Sequence, residues 1–302
     1  MQIIKKINRS INEILEFGLV YFFQYRLVGR IKGCAYKQQI TLDYLRKRYS
    51  KLISKEVCAK EKPLNSHQDT IWVCWWQGES QMPPIVKACY ASLKKYSNGH
   101  PIKLITKDNY RQYVEFPEWV EEKFASGIIT ITHLSDLLRL ALLKQYGGLW
   151  MDATLYLTKD LPAQIPTFFT LKQKEELNDV FLSKHRWAGF CIGGNMNNPL
   201  WSLVYTGLVS YWYEHNQLID YYVFDYIIEL IYESYNEVKN LIDNNKYSNP
   251  DLAFFSVNGN EEFDVDKWKE ITSRTDIFKL SWKGEIKTMT QDGKKTYHGY
   301  IM

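Results

Sequence analysis

The chain has 302 residues, 45% of them hydrophobic and 24% charged, a balance that fits a globular protein with a substantial core. The formal net charge of +4 is too small to indicate nucleic-acid binding, and no nucleic-acid-binding motif is present. Five scattered cysteines without a Cys-x-x-Cys pair argue against a disulfide framework and a cysteine zinc site, and favour a reducing compartment.

Residues 1 to about 60 are predicted to be helical. Apolar residues such as Ile3, Ile7 and Ile11 recur there at three- and four-residue spacing, with polar residues between them. Lys and Arg outnumber the acids in residues 1–62, a charge distribution that suits an anionic membrane face. The segment is interpreted either as a helix packed on the main domain or as an interfacial membrane helix, with the aromatic residues of 17–23 as lipid contacts.

No membrane-spanning segment is expected. The longest apolar stretch near the start, residues 17–23, is far short of the ~20 residues that a spanning helix needs, and no secretory signal peptide is evident. Together with the cysteine usage, this predicts a cytoplasmic protein that is peripheral on the inner face of the cell membrane.

The pattern changes near His67, so we expect an N-terminal segment over residues 1–65 and a second domain over 66–302. In the second domain, short runs rich in strand-forming residues alternate with a helical run. This alternation predicts an α/β layer with parallel strands. A long aromatic-rich helical stretch is expected around residues 200–235. The predicted strands are 70–76, 102–106 and 127–132, and the helix between the first two is 85–96.

The most informative run is an apolar helix followed by a glycine turn and an acidic strand. Ser135 is a favourable N-cap for a helix over residues 137–143, which the Gly pair beginning at Gly147 would end. Asp136 and Arg139 lie one turn apart in this helix. They either form an internal salt bridge or point into a polar site at the helix N-terminus, where anions are favoured.

Residues 149–157 alternate as a half-buried strand does, with apolar side chains at odd positions and Asp152 and Thr154 among the even ones. A carboxylate on a strand otherwise suited to burial needs compensation. A divalent cation carrying a nucleotide diphosphate is a strong candidate, because Mg²⁺ or Mn²⁺ takes one or two protein carboxylates together with phosphate oxygens and waters.

These residues resemble a known family. The Ser-Asp-x-x-Arg motif, the Tyr-Gly-Gly turn and the acidic strand look like the donor site of the DXD glycosyltransferases of glycosyltransferase family 32, closest to the capsular polysaccharide synthesis branch. The resemblance covers roughly residues 65–300. It includes four further runs, at 71–78, 83–86, 220–226 and 279–283.

The resemblance implies a GT-A fold, which is a Rossmann-like nucleotide-sugar-binding architecture, a Mn²⁺ or Mg²⁺ ion and retention of anomeric configuration. By matching position, Asp152 is the first acid of the DXD motif, whereas Thr154 stands at the third position. Because a hydroxyl neutralises no charge, weaker metal binding is expected. Asp136 and Arg139 match the pair that contacts the donor sugar and phosphate region.

Three residues at the end of the first predicted strand, Trp75, Trp76 and Gln77, are candidate donor-binding residues. Ligands of open α/β sheets lie beyond the carboxyl ends of the strands, and an aromatic ring there can stack on a base. Core packing of the adjacent Trp residues is the alternative interpretation.

Later candidates lie in the second half of the chain. Asp225 is preferred over Asp220 as the residue that orients an acceptor hydroxyl or stabilises the oxocarbenium-like centre, because its aromatic neighbours suggest burial. Lys283 is expected to bind the donor diphosphate as a point charge, and His298 to ligate the metal, since neutral His suits Mn²⁺. Ordinary surface positions are the alternative for all of these residues.

The resemblance, together with these features, implies a metal-dependent, retaining hexosyltransferase. The expected donor is a nucleotide sugar, a UDP-hexose, and the expected acceptor is a polyprenyl-diphosphate-linked glycan at the membrane surface. The alternative is a catalytically silent protein of the same fold that binds a nucleotide sugar or recruits other enzymes, because Thr154 replaces an acid.

Overall fold

The N-terminal segment is helical, as predicted. Gly18 and Gly33, with φ of 89° and 85°, interrupt its helices. The segments are α1 Gln2–Phe17, α2 Leu19–Phe23, a π-helical turn Gln24–Val28, α3 Gly29–Lys32 and α4 Cys34–Glu56. The structure is a computed structural model, and it describes residues 2–56, 69–172, 181–246 and 249–302.

The centre of the α/β part is a five-stranded sheet, beside which lies a two-stranded one. The strands are β1 Ile71–Cys74, β2 Ile102–Ile105, β3 Gly148–Met151, β4 Leu155–Leu157, β5 Phe168–Thr170, β6 Cys191–Gly194 and β7 Ile277–Lys279. The larger sheet has the order β2-β1-β3-β6-β5, in which β1 is parallel to β2 and β3 whereas β6 is antiparallel to β3 and β5. This mixed, mostly parallel sheet is compatible with a Rossmann-like fold.

Helices cover the sheet, which separates two hydrophobic cores. The further helices are α5 Pro84–Tyr96, α6 Glu118–Ala125, α7 Ile131–Tyr146, α8 Pro199–Glu214, α9 Val223–Ser234, α10 Asn236–Asp243, α11 Phe254–Asn258, α12 Val265–Arg274 and α13 Tyr297–Ile301. Because alternate strand residues face opposite sides, Trp72 and Trp150 lie in the core shared with α4, α7, α8 and α9. Their neighbours Ile71 and Leu149 lie in the other core, with α5 and α12.

The last N-terminal helix, α4, packs on the α/β part. The rings of Tyr49 on α4 and Tyr211 on α8 lie 6.4 Å apart, and both side chains are buried in the same core. The domain boundary predicted between residues 65 and 66 lies outside the described residues, so that division stays a prediction. In the described stretches of the chain, no helix has both the length and the apolar character needed to span a bilayer.

The strand predicted at residues 127–132 is wrong. Gly127 adopts a positive φ of 77° in a turn, and α7 begins at Ile131, so the buried Ile129 belongs to a connecting loop. The predicted N-cap is wrong for the same reason, because the helix begins earlier. Thr130 occupies the N-cap position, and Ser135 lies inside the helix, where its Oγ donates to the carbonyl oxygen of Thr132 at 2.6 Å.

The glycine turn after α7 is confirmed and brings two strands together. Gly147 has a φ of 68° and ends the helix, and Gly148 follows with a φ of 89°. A Cβ at Gly148 would lie 2.2 Å from the carbonyl oxygen of Thr70, so only glycine lets β3 approach β1 this closely.

The continuous strand predicted at 149–157 is wrong, because the chain turns between β3 and β4. The amide of Leu155 donates to the carbonyl oxygen of Asp152 at 3.0 Å, which closes the turn, and β4 then joins the second sheet. The alternation nevertheless marks burial correctly, since the apolar odd positions share one core. The long helical stretch expected at 200–235 is two helices, α8 and α9, joined by a loop over residues 215–222.

Candidate active site

A cavity of about 910 Å³ opens at the carboxyl ends of β1 and β3. The segment after β1 forms one wall, the N-terminus of α7 a second, and the segment around the end of β7 a third. Among its lining residues are Trp75, Trp76, Gln77, Ser135, Trp150, Asp152, Thr154, Phe190, Tyr221, Lys279, Trp282 and Lys283. The cavity therefore lies where parallel α/β sheets bind their ligands.

Asp152 lies directly after β3 and is held by two hydrogen-bond donors and one further cation. The indole Nε1 of Trp150 donates to its Oδ1 at 3.0 Å, and the ammonium of Lys279 donates to its Oδ2 at 2.9 Å. The guanidinium of Arg139 lies 3.8 Å from Oδ1. Burial raises the pKa of this carboxyl, but Lys279 and Arg139 outweigh burial and hold the pKa below its usual range. Asp152 is therefore ionised in the folded protein.

Asp136 and Arg139 form the internal salt bridge that one interpretation predicted, with Nη2 3.3 Å from Oδ1. The guanidinium of Arg139 also lies 5.0 Å from the ring centroids of both Trp150 and Phe224. Neither charged side chain lines the cavity. They lie behind Asp152, and Arg139 links the two carboxylates.

Lys279 is the functional candidate that the sequence analysis missed. Its Nζ donates to the Oγ1 of Thr154 at 2.6 Å as well as to Asp152. The pairing of β4 with β7 brings these residues together, because Leu155 lies opposite Lys279 and the amide of Leu280 donates to the carbonyl oxygen of Thr154 at 2.9 Å. The available signal was the Lys-x-x-x-Lys spacing of residues 279–283, in which Lys279 is the first lysine.

The three residues predicted after β1 all line the cavity. Trp76 packs against Tyr110 and Phe124, with ring centroids 5.1 and 5.4 Å away, so part of its surface serves the core. Trp75 meets the ring of Trp282 at 5.8 Å, and its buried Nε1 has no hydrogen-bond partner among the described residues. Gln77 is exposed at the same wall.

Lys283 also lines the cavity, where its ammonium lies 5.6 Å from the ring of Trp282. His298 does not line it. Its Nδ1 is 3.0 Å from the Oδ1 of Asn260, its ring packs at 5.5 Å on Phe255, and burial lowers its pKa.

Asp225 lies in the first turn of α9, near Asp136 but not on the cavity wall. Its Oδ1 accepts a hydrogen bond from the Nε1 of Trp187 at 2.8 Å. Burial raises the pKa of Asp225 to about 6, and the charge of Asp136 adds to the rise. Asp220 is engaged elsewhere, since it accepts a hydrogen bond from the hydroxyl of Tyr25 at 3.1 Å.

The donor set around Asp152 does not fit the divalent cation implied by the resemblance. The ammonium of Lys279 lies between Asp152 and Thr154, two of the three expected ligands, within hydrogen-bond distance of both. Across the described ranges, no group of three or more His, Cys, Asp or Glu side chains is arranged to hold a metal ion. Two cations already balance the two carboxylates Asp136 and Asp152.

The mixed α/β fold, with a polar, aromatic-walled cavity at the carboxyl ends of parallel strands, is compatible with the broad ligand-binding class of Rossmann-like proteins. A family described as capsular polysaccharide synthesis protein matches residues 28–301, and the chain belongs to this family. This match confirms the capsular polysaccharide branch of the resemblance. The correspondence to the DXD motif stays a prediction.

Two curated relatives match shorter stretches of the chain. The chain is 26% identical over 118 residues to the O-glycosyltransferase PaGT of Phomopsis amygdali, covering 36% of this chain and 29% of the relative. It is 30% identical over 104 residues to the O-glycosyltransferase braB of Annulohypoxylon truncatum, covering 32% of this chain and 24% of the relative. The matches thus span about a quarter of the length of each relative.

Proposed function

We propose that this protein is a retaining glycosyltransferase of GT-A type, which moves a hexose from a nucleotide-sugar donor to a lipid-linked glycan acceptor during capsular or surface polysaccharide synthesis. The observation that carries the proposal is the cavity at the ends of β1 and β3, where Asp152 and Lys279 meet beside an aromatic wall. The family and the two glycosyltransferase relatives support it. The proposed donor is a UDP-hexose.

The cavity offers a separate surface to each part of such a donor. Trp75 and Trp76 present rings on which a base can stack. Lys279 and Lys283 supply positive charge for the diphosphate. Arg139, which Asp136 anchors, holds Asp152 from behind, so both act as positioning residues.

The proposed chemistry is a same-face displacement. The bond from the anomeric carbon to the diphosphate oxygen breaks, and its electron pair stays on the diphosphate. The acceptor hydroxyl oxygen forms the new bond to that carbon from the same face, and its proton passes to the departing diphosphate oxygen. The residues of the chain orient the two substrates and stabilise the developing charge. Asp225, which lies near Asp136 behind the cavity, stays the proposed residue for orienting the acceptor hydroxyl.

A row of exposed apolar side chains supports peripheral binding to an anionic lipid surface, where a polyprenyl-diphosphate-linked acceptor would reside. They stand at every fourth position of the N-terminal helices, with exposed fractions between 48% and 88%. Exposed Arg30 and Lys32 flank the last of them, which adds charge complementarity to anionic headgroups. The row consists of Ile7, Ile11, Leu15, Leu19, Phe23, Leu27 and Ile31.

Hydrolysis of nucleotide sugars tests the enzymatic proposal. A panel of UDP- and GDP-hexoses is incubated with purified protein, with and without Mn²⁺, and release of nucleoside diphosphate is measured. We expect slow release from one donor, and a loss of about 100-fold in Asp152→Asn, as for removal of one preorganised electrostatic contact. Asp266→Asn, whose side chain is 87% exposed on α12, is the matched control and should keep full activity.

The same experiment separates the second candidate function. A catalytically silent nucleotide-sugar-binding or scaffold protein is favoured by one observation, namely that Lys279 already neutralises Asp152. Such a protein would be stabilised against heat by a nucleotide sugar but would release no diphosphate, even with a polyprenyl-diphosphate-linked glycan present. Absence of both binding and turnover would reject the donor-site assignment altogether.

A further inference from the structure

The ammonium of Lys279 lies between the side chains of Asp152 and Thr154. The resemblance implies a metal ion at this position. The ammonium lies 2.9 Å from the Oδ2 of Asp152 and 2.6 Å from the Oγ1 of Thr154. A lysine ammonium has three N–H donors and no acceptor. Within the described residues, Asp152 and Thr154 take two of these donors by hydrogen bonds, and the side chain lines the cavity. The ring of Phe190 lies 5.0 Å from the ammonium, and the third N–H has no hydrogen-bond acceptor among the described residues, so an anion in the cavity can accept from it.

The backbone fixes this lysine firmly. Lys279 pairs with Leu155 across the two-stranded sheet, and the amide of Leu280 donates to the carbonyl oxygen of Thr154 at 2.9 Å. The Asp152 turn and the lysine are therefore parts of one hydrogen-bonded unit. A charge held this way is preorganised, because the protein need not reorder to present it.

The charges also balance without a metal. Two aspartates with a divalent cation carry no net charge. Asp152 with the cation of Lys279 and the neutral hydroxyl of Thr154 carries none either. Thr154 supplies an acceptor oxygen for the ammonium where a second acid would supply charge for a metal. A divalent ion added here would have to displace Lys279 and would face Arg139, which is 3.8 Å from the same carboxylate.

We propose that Lys279 is the cation of the donor site: its ammonium takes the place of the divalent ion and binds the donor diphosphate, so that binding and transfer need no metal. The inference rests on the proposed glycosyltransferase function and deepens it. As the bond to the anomeric carbon breaks, the electron pair moves onto the diphosphate oxygens, and the remaining N–H of Lys279 donates to one of them. The lysine keeps its proton throughout.

Calorimetric titration with UDP and GDP tests this proposal without depending on an acceptor. For wild type, we expect the dissociation constant of the preferred nucleotide to be the same, within about twofold, in excess EDTA and in Mn²⁺. Lys279→Met removes the charge and keeps the length of the side chain, and should weaken binding about 10- to 100-fold, as expected for a lost charge-assisted hydrogen bond. Lys269→Met on α12, at a side chain 71% exposed, is the matched control and should bind as wild type does.

A second variant guards against a misfolded Lys279→Met protein. The double substitution Thr154→Asp with Lys279→Ser builds a two-carboxylate site without the lysine, and its nucleotide binding should become dependent on Mn²⁺ and sensitive to EDTA. Wild-type binding that EDTA abolishes would overturn the proposal while leaving the glycosyltransferase function intact. Full-affinity binding by folded Lys279→Met would overturn it too. If wild type binds no nucleotide under any condition, the proposed function itself is wrong.

Discussion

Arg139 connects two carboxylates and two aromatic rings, and the electrostatics behind the cavity depend on it. The residue is only 5% exposed, yet its guanidinium stacks near Trp150 and Phe224 while Nη2 reaches Asp136 and Asp152. A guanidinium can do both because it is planar and carries several donors, whereas an ammonium is a point charge. Helical spacing predicted that Arg139 and Asp136 share a face, and of the two interpretations left open the structure shows the internal salt bridge. Helical spacing could not place Phe224, which belongs to a distant helix.

Removing this charge should destabilise the fold. Arg139→Met leaves the part-buried Asp136 without its guanidinium, and we expect the free energy of unfolding to fall by about 3 kcal/mol in urea titrations. The free energy of unfolding of Arg139→Lys should lie between those of Arg139→Met and wild type. Arg111→Met, at a guanidinium 68% exposed, is the control and should cost less than about 1 kcal/mol. An Arg139→Met protein as stable as wild type would contradict this account of the site.

Asp225 should make stability depend on pH. Its pKa of about 6 is above the unfolded value of about 3.9, so its favourable contribution is complete below about pH 4 and is lost as the pH rises through 6. Asp225→Asn keeps an oxygen for Trp187 and carries no charge. We expect it to raise the melting temperature at pH 8 and to change it little at pH 4, as measured by calorimetry. An equal change at both pH values would show that ionisation of Asp225 is not the cause.

Among the elements, the N-terminal helices combine two surfaces with different roles. Phe17 and Tyr21 are buried in the core that α4 shares with α8 and α9, whereas Leu15 and Leu19 are 78% and 66% exposed. The spacing of the apolar residues predicted the helix. It could not predict which of these residues are buried and which are exposed, because that depends on the neighbours that pack against each turn. The buried residues of this segment therefore fit a helix packed on the main domain, and the exposed ones fit an interfacial membrane helix.

The exposed row should bind anionic membranes. We expect the wild-type chain to co-sediment with vesicles of phosphatidylglycerol and phosphatidylcholine, and less with phosphatidylcholine vesicles, because basic residues accompany the apolar row. Leu15→Gln with Leu19→Gln and Ile31→Gln should lower the bound fraction several-fold, since each buried methylene contributes about 0.8 kcal/mol. Val257→Gln, at a side chain 77% exposed on α11, is the control. If the triple variant binds the vesicles as wild type does, the exposed apolar row is not the membrane-binding surface.

Strands were predicted well where the local pattern decided the outcome and poorly where distant pairing did. The first two strands and the glycine turn follow from apolar runs and from residues that only a turn accommodates. The break between β3 and β4 does not follow from the local pattern, because the alternation of buried residues continues across it. Only pairing with β7, more than 100 residues later, makes β4 part of another sheet.

At the scale of the whole molecule, the candidate site is assembled from segments far apart in the chain. The lining residues Trp75, Trp76 and Gln77 after β1 were predicted, because ligands of open α/β sheets lie beyond the carboxyl ends of the strands. The contact between Lys279 and Asp152 was not, since 127 residues separate them. Sequence spacing carries no information about such a pair, and only a register between strands defines it.

The pairing of β7 with β4 has a consequence for biosynthesis. During translation, the ribosome adds Asp152 directly after β3, and Lys279 follows only 127 residues later. Of the three contacts that offset the charge of Asp152 within the described residues, those with Arg139 and the indole of Trp150 come from segments made by then, and that with Lys279 does not. The nascent protein consequently acquires a neutral cavity floor near the end of synthesis, and a chain truncated before β7 would lack both the strand and the lysine that complete it.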